Sequence, residues 1–278
     1  MLGWDGRINM VSSVGDEPIG VQSLFSIRDK VALVTGGSRG IGLMIARGFV
    51  EAGATVYISS RSAEVCDAVA SDLSMTGRCV SLPHDLSSLD GVSALARDLG
   101  EREEKLHILI NNAGTAWGEP LESFPEKGFD KVTNLNLKSV FFLTRDLLSL
   151  LEGAATTEDP ARIINIGSID GLRVPLVPNY SYAAAKAAVH HLTRMLAVHL
   201  GGRRITVNAI APGFFPSKMT KVLLEEHRKA FERACPLGRI GGPADIAGAA
   251  IFLASRAASY INGAVVPVDG GHSLKTEA

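Results

Sequence analysis

Long apolar runs, an excess of charge of one sign and paired cysteines are all missing from this sequence. No stretch approaches the roughly 18 consecutive apolar residues that a membrane-spanning helix needs. The 28 Lys and Arg residues nearly balance the 29 Asp and Glu residues, so the net charge is −1, which excludes the strongly basic surface typical of nucleic-acid-binding proteins. The three cysteines, Cys66, Cys79 and Cys235, show no metal-ligand spacing. We therefore expect free thiols in a cytoplasmic protein that binds no metal, nucleic acid or membrane.

The two ends of the chain differ in character from its centre. Residues 1–26 have neither the basic start nor the apolar core of a signal peptide and show no clear period, which predicts a loosely ordered extension. Residues 275–278 form a short polar tail. The chain as a whole is 46% hydrophobic and 21% charged, and the length of residues 27–274 suits one large domain.

A strand, a glycine-rich turn and a helix follow one another near the start of this domain. The apolar run 31–35 leads into Gly36-Gly-Ser-Arg-Gly-Ile-Gly42 and then into an apolar-periodic helix. Glycines allow a tight turn and let backbone N–H groups approach a phosphate, whose charge the helix N-terminus favours. This context indicates a dinucleotide site, with a turn that holds nothing as the alternative. The candidate cofactor residues are Gly36, Ser38, Arg39, Gly40, Ile41 and Gly42.

The end of the second predicted strand, 54–58, carries no acidic residue. An enzyme that uses NAD needs an Asp or Glu there to hold the free ribose 2′-hydroxyl. Ser60 and Arg61 follow this strand instead, and Arg61 together with Arg39 could hold a 2′-phosphate through charge-assisted hydrogen bonds. The sequence therefore favours NADP(H), with Arg61 as the solvated start of the next helix being the alternative.

Strands continue to alternate with helices to the end of the chain. Further strands are predicted at 79–82, 106–110, 162–166, 205–210 and 264–268, and helices at 62–75, 88–103, 127–152, 180–200 and 243–254. This alternation predicts an α/β fold, a single doubly wound Rossmann-type domain whose parallel sheet of about seven strands carries helices on both faces. The third strand then crosses to the fourth, so that Asn111, Ser168 and Pro212 open onto one crevice.

Tyr182 and Lys186 lie four residues apart in an alanine-rich helical stretch, so they share one helix face. The positive charge favours the phenolate, and the pKa of Tyr182 is expected to fall from about 10 toward neutrality, as proton transfer requires. Tyr180 faces another side and is predicted to be a wall residue. His190, His191 and His199 are predicted to lie on an outer or subunit-contact face.

Taken together, these motifs resemble the short-chain dehydrogenase/reductase family over residues 28–274. The matching residues are the glycine turn after Thr35, Asn111-Asn-Ala-Gly114, Asn136, Ser168, Tyr182-x-x-x-Lys186 and Pro212-Gly213. The resemblance implies that Ser168 hydrogen-bonds the substrate oxygen and that Tyr182 donates or accepts the proton. It also implies that Lys186 binds the nicotinamide ribose and depresses the tyrosine pKa, while Asn136 holds a water that links Lys186 to solvent.

The same resemblance implies the remaining cofactor contacts and an assembly. Asp85 is expected to contact the adenine amino group and Asn112 to position the cofactor. The set is completed by Leu86, Ala113, Gly114, Pro212 and Gly213, with Tyr182 and Lys186 shared with catalysis. A homotetramer or homodimer is expected.

Within the family, the segments 159–168 and 215–220 are similar to 3-oxoacyl-[acyl-carrier-protein] reductases, including the rhamnolipid-synthesis type. This implies an NADPH-dependent carbonyl reductase of fatty acid metabolism, with a small-molecule or acyl-thioester substrate and an acyl carrier protein as a possible partner. A dehydrogenase of sugars, polyols or steroid-like alcohols is the alternative, and a catalytically silent scaffold is a further one. An apolar lid suited to an acyl chain, or else ordinary helix packing, is predicted for Phe214, Phe215, Met219, Leu223, Leu224 and Phe231.

Overall fold

Parallel strands form the central sheet of the computed structural model, which describes residues 20–175, 177–217 and 221–275. Within that part of the chain the strands are β1 (Val31–Thr35), β2 (Thr55–Ser59), β3 (Cys79–Ser81), β4 (Ile108–Asn111), β5 (Ala161–Ile166), β6 (Ile205–Pro212) and β7 (Val265–Val268). They form one sheet of seven strands in the order β3-β2-β1-β4-β5-β6-β7. The chain crosses from the edge strand β3 to β4 beside β1, which confirms the predicted fold and its switch point.

Helices lie on both sides of this sheet. They are α1 (Val21–Phe25), α2 (Gly40–Glu51), α3 (Ala63–Leu73), α4 (Leu89–Gly100), α5 (Glu126–Thr133), α6 (Ser139–Asp146), α7 (Leu148–Ala154), α8 (Tyr180–Gly201), α9 (Lys221–Ala234) and α10 (Pro243–Ala254). Apart from the segments discussed below, the predicted strands and helices are confirmed to within three residues at each end.

Alternate residues of each strand supply two separate apolar layers, because successive side chains point to opposite faces of a sheet. On one face Val34 and Ile58 pack with residues of α2, α3 and α10. On the other face Leu33 and Tyr57 pack with residues of α4, α6 and α8. The two layers leave the carboxyl ends of the strands open at one edge, and the functional residues gather there.

Two predicted segments differ from the structure. The helix predicted over 127–152 is divided into α5, a π-helical turn (Asn134–Lys138), α6 and α7, because Asn136 turns inward in the π-helical turn to meet the backbone of Thr115. The insertion predicted as mobile over 214–234 contains the regular helix α9. Met219 and the side chains of Leu223 and Leu224 lie outside the described part of the chain.

The predicted N-terminal extension falls mostly outside the described residues, as does the end of the polar tail. Its last residues form α1, whose Phe25 ring lies 6.1 Å from the ring of Phe252 on α10. The three cysteines are buried and free. Over the described ranges, no helix combines the length and the apolar character that crossing a membrane requires.

Candidate active site

The glycine turn between β1 and α2 is held tightly against the ends of β2 and β4. Gly36 has a φ of +65° and Gly40 a φ of +54°, a backbone region that favours glycine. A Cβ at Gly42 would lie 2.3 Å from the carbonyl oxygen of Gly36. The Gly36 N–H donates to the carbonyl of Ser59 over 2.7 Å, so the end of β2 lies beside the turn.

The N-terminus of α2 offers a site for a phosphate. The cap residue Arg39 makes no side-chain capping bond, and the first N–H groups of a helix lack partners within the helix. The N–H groups of Gly40, Ile41 and Gly42 therefore stand at the positive end of the helix dipole. The chemistry of these donors suits the pyrophosphate of a dinucleotide.

Arg39 belongs to the glycine turn, and Arg61 follows the end of β2. Arg39 and Arg61 are both exposed, and neither forms an ion pair with any residue that the structure describes. Ser60 lies between the end of β2 and Arg61, with its hydroxyl 3.4 Å from the carbonyl of Ser62. No carboxylate stands at this position, and the charge of the site suits a 2′-phosphate.

The candidate residues after β3 and β4 mainly brace the turn. The amide of Asn112 donates to the carbonyl of Thr35 over 2.8 Å, and the backbone N–H groups of Asn112 and Ala113 both donate to the Thr35 hydroxyl. Asp85 is exposed and accepts from the Ser87 N–H over 3.0 Å, while Leu86 is buried. Asp85 is therefore free to face a ligand, whereas Asn112 holds the glycine turn in place.

Ser168 stands at the end of β5 and is nearly buried. Its hydroxyl accepts from the N–H of Asp170 over 3.1 Å and caps a one-turn 3₁₀ helix, Ile169–Gly171. Tyr182 lies in the first turn of α8, where its hydroxyl is close enough to Ser168 for the serine side chain to lower the tyrosine pKa. The two hydroxyls that the sequence places fourteen residues apart are thus brought together.

Lys186 lies one turn further along α8 and is buried. Its Nζ donates to the carbonyl of Ile166 over 2.7 Å and lies 5.6 Å from the centroid of the Tyr182 ring. Burial lowers the pKa of Lys186 to about 8. The ammonium therefore remains mostly charged at neutral pH, beside the tyrosine.

The protonation of Tyr182 differs from the sequence-based expectation. Burial raises the pKa of Tyr182 to about 12, the Ser168 hydrogen bond acts in the opposite direction, and the charge of Asp170 adds to the rise. The expected fall toward neutrality is therefore wrong for this structure, because desolvation of the phenolate raises the pKa by more than the Ser168 side chain lowers it. A phenol with this pKa is protonated at neutral pH.

Asn136 is buried in the π-helical turn and lies next to Gly114. Its side chain accepts from the Thr115 N–H and donates to the Thr115 carbonyl, both over 2.9 Å. A Cβ at Gly114 would lie 3.3 Å from Asn136 Oδ1. The amide thus fixes the segment after β4; the water-holding role stays a prediction.

The segment after β6 closes the site from the other side. Gly213 N–H donates to the carbonyl of Val268 over 3.0 Å. The ring of Phe214 lies 4.0 Å from that of Phe231 and 5.1 Å from that of His272, beside a cavity of about 640 Å³. Phe215 is buried in the core, so for this residue ordinary packing is the correct alternative.

A buried polar chain under the site was not predicted. Asn111 donates to Asn165 over 2.9 Å and to Thr144 over 3.4 Å, and Asn165 donates to Thr193 over 2.9 Å. It joins β4, β5, α6 and α8. The signal was present as one Asn in each of two apolar strand runs, but only the register, which pairs Asn111 with Asn165, reveals the link.

The three histidines of α8 differ in their exposure to solvent. His191 and His199 are exposed as predicted, but His190 is buried and faces the site, so its predicted position on an outer face is wrong. Over residues 20–175, 177–217 and 221–275, no three His, Cys, Asp or Glu side chains form a group that could hold a metal ion.

Comparisons with known proteins agree on the same architecture. The family model described as enoyl-(acyl carrier protein) reductase matches residues 36–273. The rhamnolipids biosynthesis 3-oxoacyl-[acyl-carrier-protein] reductase of Pseudomonas aeruginosa is 50% identical over 252 residues, which cover 90% of this chain and 98% of that protein. The solved Pseudomonas aeruginosa RhlG/NADP active-site complex superposes with a TM-score of 0.88 at 49% identity and covers 91% of this chain and 99% of that one. A gluconate 5-dehydrogenase of Gluconobacter oxydans is 37% identical over 257 residues, which cover 89% of this chain and 96% of that protein.

Proposed function

Because the chain belongs to the short-chain dehydrogenase/reductase family, we propose that it is an NADPH-dependent reductase of 3-oxoacyl thioesters. Membership makes it an oxidoreductase of this fold, and its relatives include both 3-oxoacyl-[acyl-carrier-protein] reductases and sugar-acid dehydrogenases. The choice between these substrates depends on the surface around Ser168 and Tyr182.

An exposed apolar rim at the mouth of the site carries the choice of an acyl substrate. The rim consists of Leu121, Leu172, Val174, Val177 and Tyr180, all exposed, with Val174 at 89%. Its two loops meet where the Glu119 N–H donates to the Pro178 carbonyl over 3.1 Å and where the rings of Phe124 and Tyr180 lie 5.8 Å apart. Exposed apolar surface beside a site indicates an apolar ligand.

The residues of the site can protonate a reduced carbonyl. NADPH, when bound, supplies the hydride that the carbonyl carbon receives. The Ser168 hydroxyl orients the carbonyl oxygen, and the protonated Tyr182 donates its phenolic proton to that oxygen to give the alcohol. The Lys186 ammonium stabilises the resulting phenolate until it regains a proton from solvent. The raised pKa of Tyr182 suits this direction, because the acid is fully protonated before the reaction.

The chain's own residues would hold the cofactor at two places. The N–H groups of Gly40, Ile41 and Gly42 would bind the pyrophosphate, and Arg39 with Arg61 would bind the 2′-phosphate. The remaining predicted contacts, Asp85, Leu86, Ala113, Gly114, Pro212 and Gly213, would complete the proposed cofactor site.

A second candidate is a sugar-acid dehydrogenase on the same residues, favoured by the similarity to the gluconate dehydrogenase. A sugar acid would leave the apolar rim uncovered. We therefore rank it second.

Oxidation of NADPH with two substrate series tests the proposal. With 3-oxoacyl thioesters of four to twelve carbons, kcat/KM should rise about three- to fourfold for each CH₂ group that the rim covers, from roughly 0.8 kcal/mol per group. Val174→Ser should flatten this slope without affecting the shortest substrate. Met75→Ser, equally exposed but beyond the end of α3 at the opposite edge of the sheet, should leave it unchanged.

A flat series, or turnover of keto sugar acids alone, would refute the acyl assignment. Comparing carrier-bound with free thioesters tests for the carrier protein.

A further inference from the structure

His190 is a buried histidine whose ring nitrogens lack good hydrogen-bond partners in the described part of the chain. It lies one helical turn after Lys186 on α8 and is 2% exposed. Neither ring nitrogen makes a hydrogen bond of good geometry with any described residue, and the Gly171 backbone offers a weak polar contact. A buried polar group without a full partner costs folding free energy. An aliphatic residue would avoid this cost, so the space that the ring fills needs an explanation.

Two glycines receive the imidazole ring. A Cβ at Gly167 would lie 2.0 Å from His190 Nε2, so the ring packs directly against the backbone of this residue. A Cβ at Gly171 would lie 2.9 Å from His190 Cε1 and 2.7 Å from the carbonyl carbon of Lys186. The ring therefore occupies the gap between α8 and the chain on either side of Ser168.

These contacts surround the residue that orients the substrate. Gly167 directly precedes Ser168, and Gly171 ends the 3₁₀ turn that the Ser168 hydroxyl caps. The Gly167 N–H is fixed to the Ile210 carbonyl over 2.7 Å, and Lys186 is fixed to Ile166. His190 fills the remaining space between the turn and the helix that bears Tyr182.

We propose that His190 is a positioning residue, which by its volume holds the turn 167–171 at the distance that sets Ser168 against Tyr182. This inference rests on the proposed function, because it takes Ser168 and Tyr182 as the reacting pair. In this role His190 acts through Ser168 and not on the reacting atoms. Removing its ring lets the turn settle toward α8 and misplaces the Ser168 hydroxyl.

A double-mutant cycle with Ser168 tests this role. His190→Ala should lower kcat ten- to hundredfold, as small misplacements of reacting groups do, while the KM for NADPH stays unchanged. In the Ser168→Ala background, the same change should lower kcat less than twofold further. His190→Leu, which restores most of the volume, should keep kcat within about threefold of wild type. His191→Ala, the neighbouring exposed histidine, is the matched control and should leave kcat unchanged.

Loss of stability is separated from mispositioning because kcat is calculated per folded enzyme, and the folded fraction of each variant is measured by NADPH titration. Should His190→Ala not fold, His190→Val takes its place in the cycle. An unchanged kcat, an additive cycle, or a His190→Leu variant as impaired as the smaller one would each overturn the proposal. A Ser168→Ala variant with wild-type kcat would refute the proposed function itself, whereas an impaired Ser168→Ala with an additive cycle refutes only the role of His190.

Discussion

Tyr182 and Lys186 are displaced in opposite directions from their ordinary pKa values, and burial causes both displacements. The spacing Tyr-x-x-x-Lys predicted that the two side chains meet, and they do. It could not predict the protonation, because desolvation depends on the loops that cover the pair and these come from distant parts of the chain. The titration that matters near neutral pH is therefore that of the lysine.

The pH dependence of ketone reduction should report Lys186. Its pKa is lowered to about 8, so the ammonium is charged below pH 8 and neutral above it. Since the charge stabilises the phenolate that forms as the proton leaves, kcat should fall as the pH rises through about 8. Lys186→Ala should lower kcat at all pH values and move the alkaline limb upward, toward the titration of Tyr182 near 12. A limb near pH 8 that survives in Lys186→Ala would contradict the assignment. Tyr180→Phe, at an exposed ring outside the pair, is the control.

Cofactor preference is the second prediction for single residues. Arg61 and Arg39 are exposed beside a position that lacks a carboxylate. A charge-assisted hydrogen bond contributes about 1.5–3 kcal/mol, which corresponds to roughly a ten- to hundredfold preference for NADPH. Ser60→Asp combined with Arg61→Ala should reverse this preference, because the new carboxylate repels a 2′-phosphate and accepts from a free 2′-hydroxyl.

The measurement is kcat/KM with NADPH and with NADH, for the wild type and for the double variant. Arg47→Ala, an exposed arginine on α2 paired with Asp72, should change neither value. Equal efficiencies in the wild type would show that the arginines do not recognise the phosphate.

Among the elements, the predicted helix over 127–152 shows that apolar periodicity predicts helical structure but not the tertiary contacts that interrupt a helix. Its apolar spacing correctly indicated helix, and the lone Asn136 was recognised as either used or exposed. Only the structure shows that the use is a pair of bonds to Thr115 in a loop twenty-one residues away, reached through a π-helical turn. A tertiary bond of this kind leaves no local pattern in the sequence. The same holds for the polar chain that joins Asn111 to Asn165.

The π-helical turn should therefore depend on the Asn136 amide. Asn136→Ala removes the partners of both the N–H and the carbonyl of Thr115 in a partly buried site, at a cost of at most about 1–3 kcal/mol for each unpaired group. We expect a lower free energy of unfolding in urea and faster amide exchange over 113–118. Asn134→Ala, at a half-buried position in the same turn, is the matched control. Equal destabilisation by both variants would show that the turn, and not the amide pair, carries the stability.

At the scale of the whole molecule, the fold followed from the sequence because each strand and its helix form a local pattern. The crossing from β3 to β4 followed from the connection and switch-point rules for parallel sheets, whereas the full strand order comes from the structure. The position of His190 did not, since it depends on how α8 rotates against β5. The predicted homodimer or homotetramer stays a prediction; exposed apolar side chains on α5, α6 and α8, such as Phe129, Phe141 and Met195, are available to such a contact.

Acid should destabilise the whole fold through three histidines that are buried or half-buried. The pKa values of His107, His190 and His272 are all lowered, chiefly by burial, and that of His190 falls to about 4. The Val31 N–H donates to His107 over 3.0 Å, and Arg173 donates to His272 over 2.8 Å. These rings accept in their neutral forms, so protonation would break both bonds.

The direction of this pH dependence follows from proton binding in the folded and the unfolded states. Below pH 6.5 the unfolded chain takes up protons on these histidines while the folded protein does not, so stability present above pH 6.5 is lost on acidification. Each such proton contributes a slope of about 1.4 kcal/mol per pH unit. Near His190 the charged groups are Lys186 and Arg194, and both oppose its protonation in the folded protein.

Unfolding in urea at pH 7.0, 6.0 and 5.0 measures the effect. The wild type should lose stability steadily over this range, and His190→Leu should lose about 1–2 kcal/mol less between pH 6.5 and 5. Asp245, whose pKa is lowered to about 2 by Arg239 and the Gly242 backbone, remains ionised throughout this window and does not contribute. His191→Leu, at the neighbouring exposed position on α8, is the matched control for the substitution itself. Parallel slopes for the wild type and His190→Leu would mean that His190 takes up its proton equally in both states, contrary to its burial under the Ser168 turn.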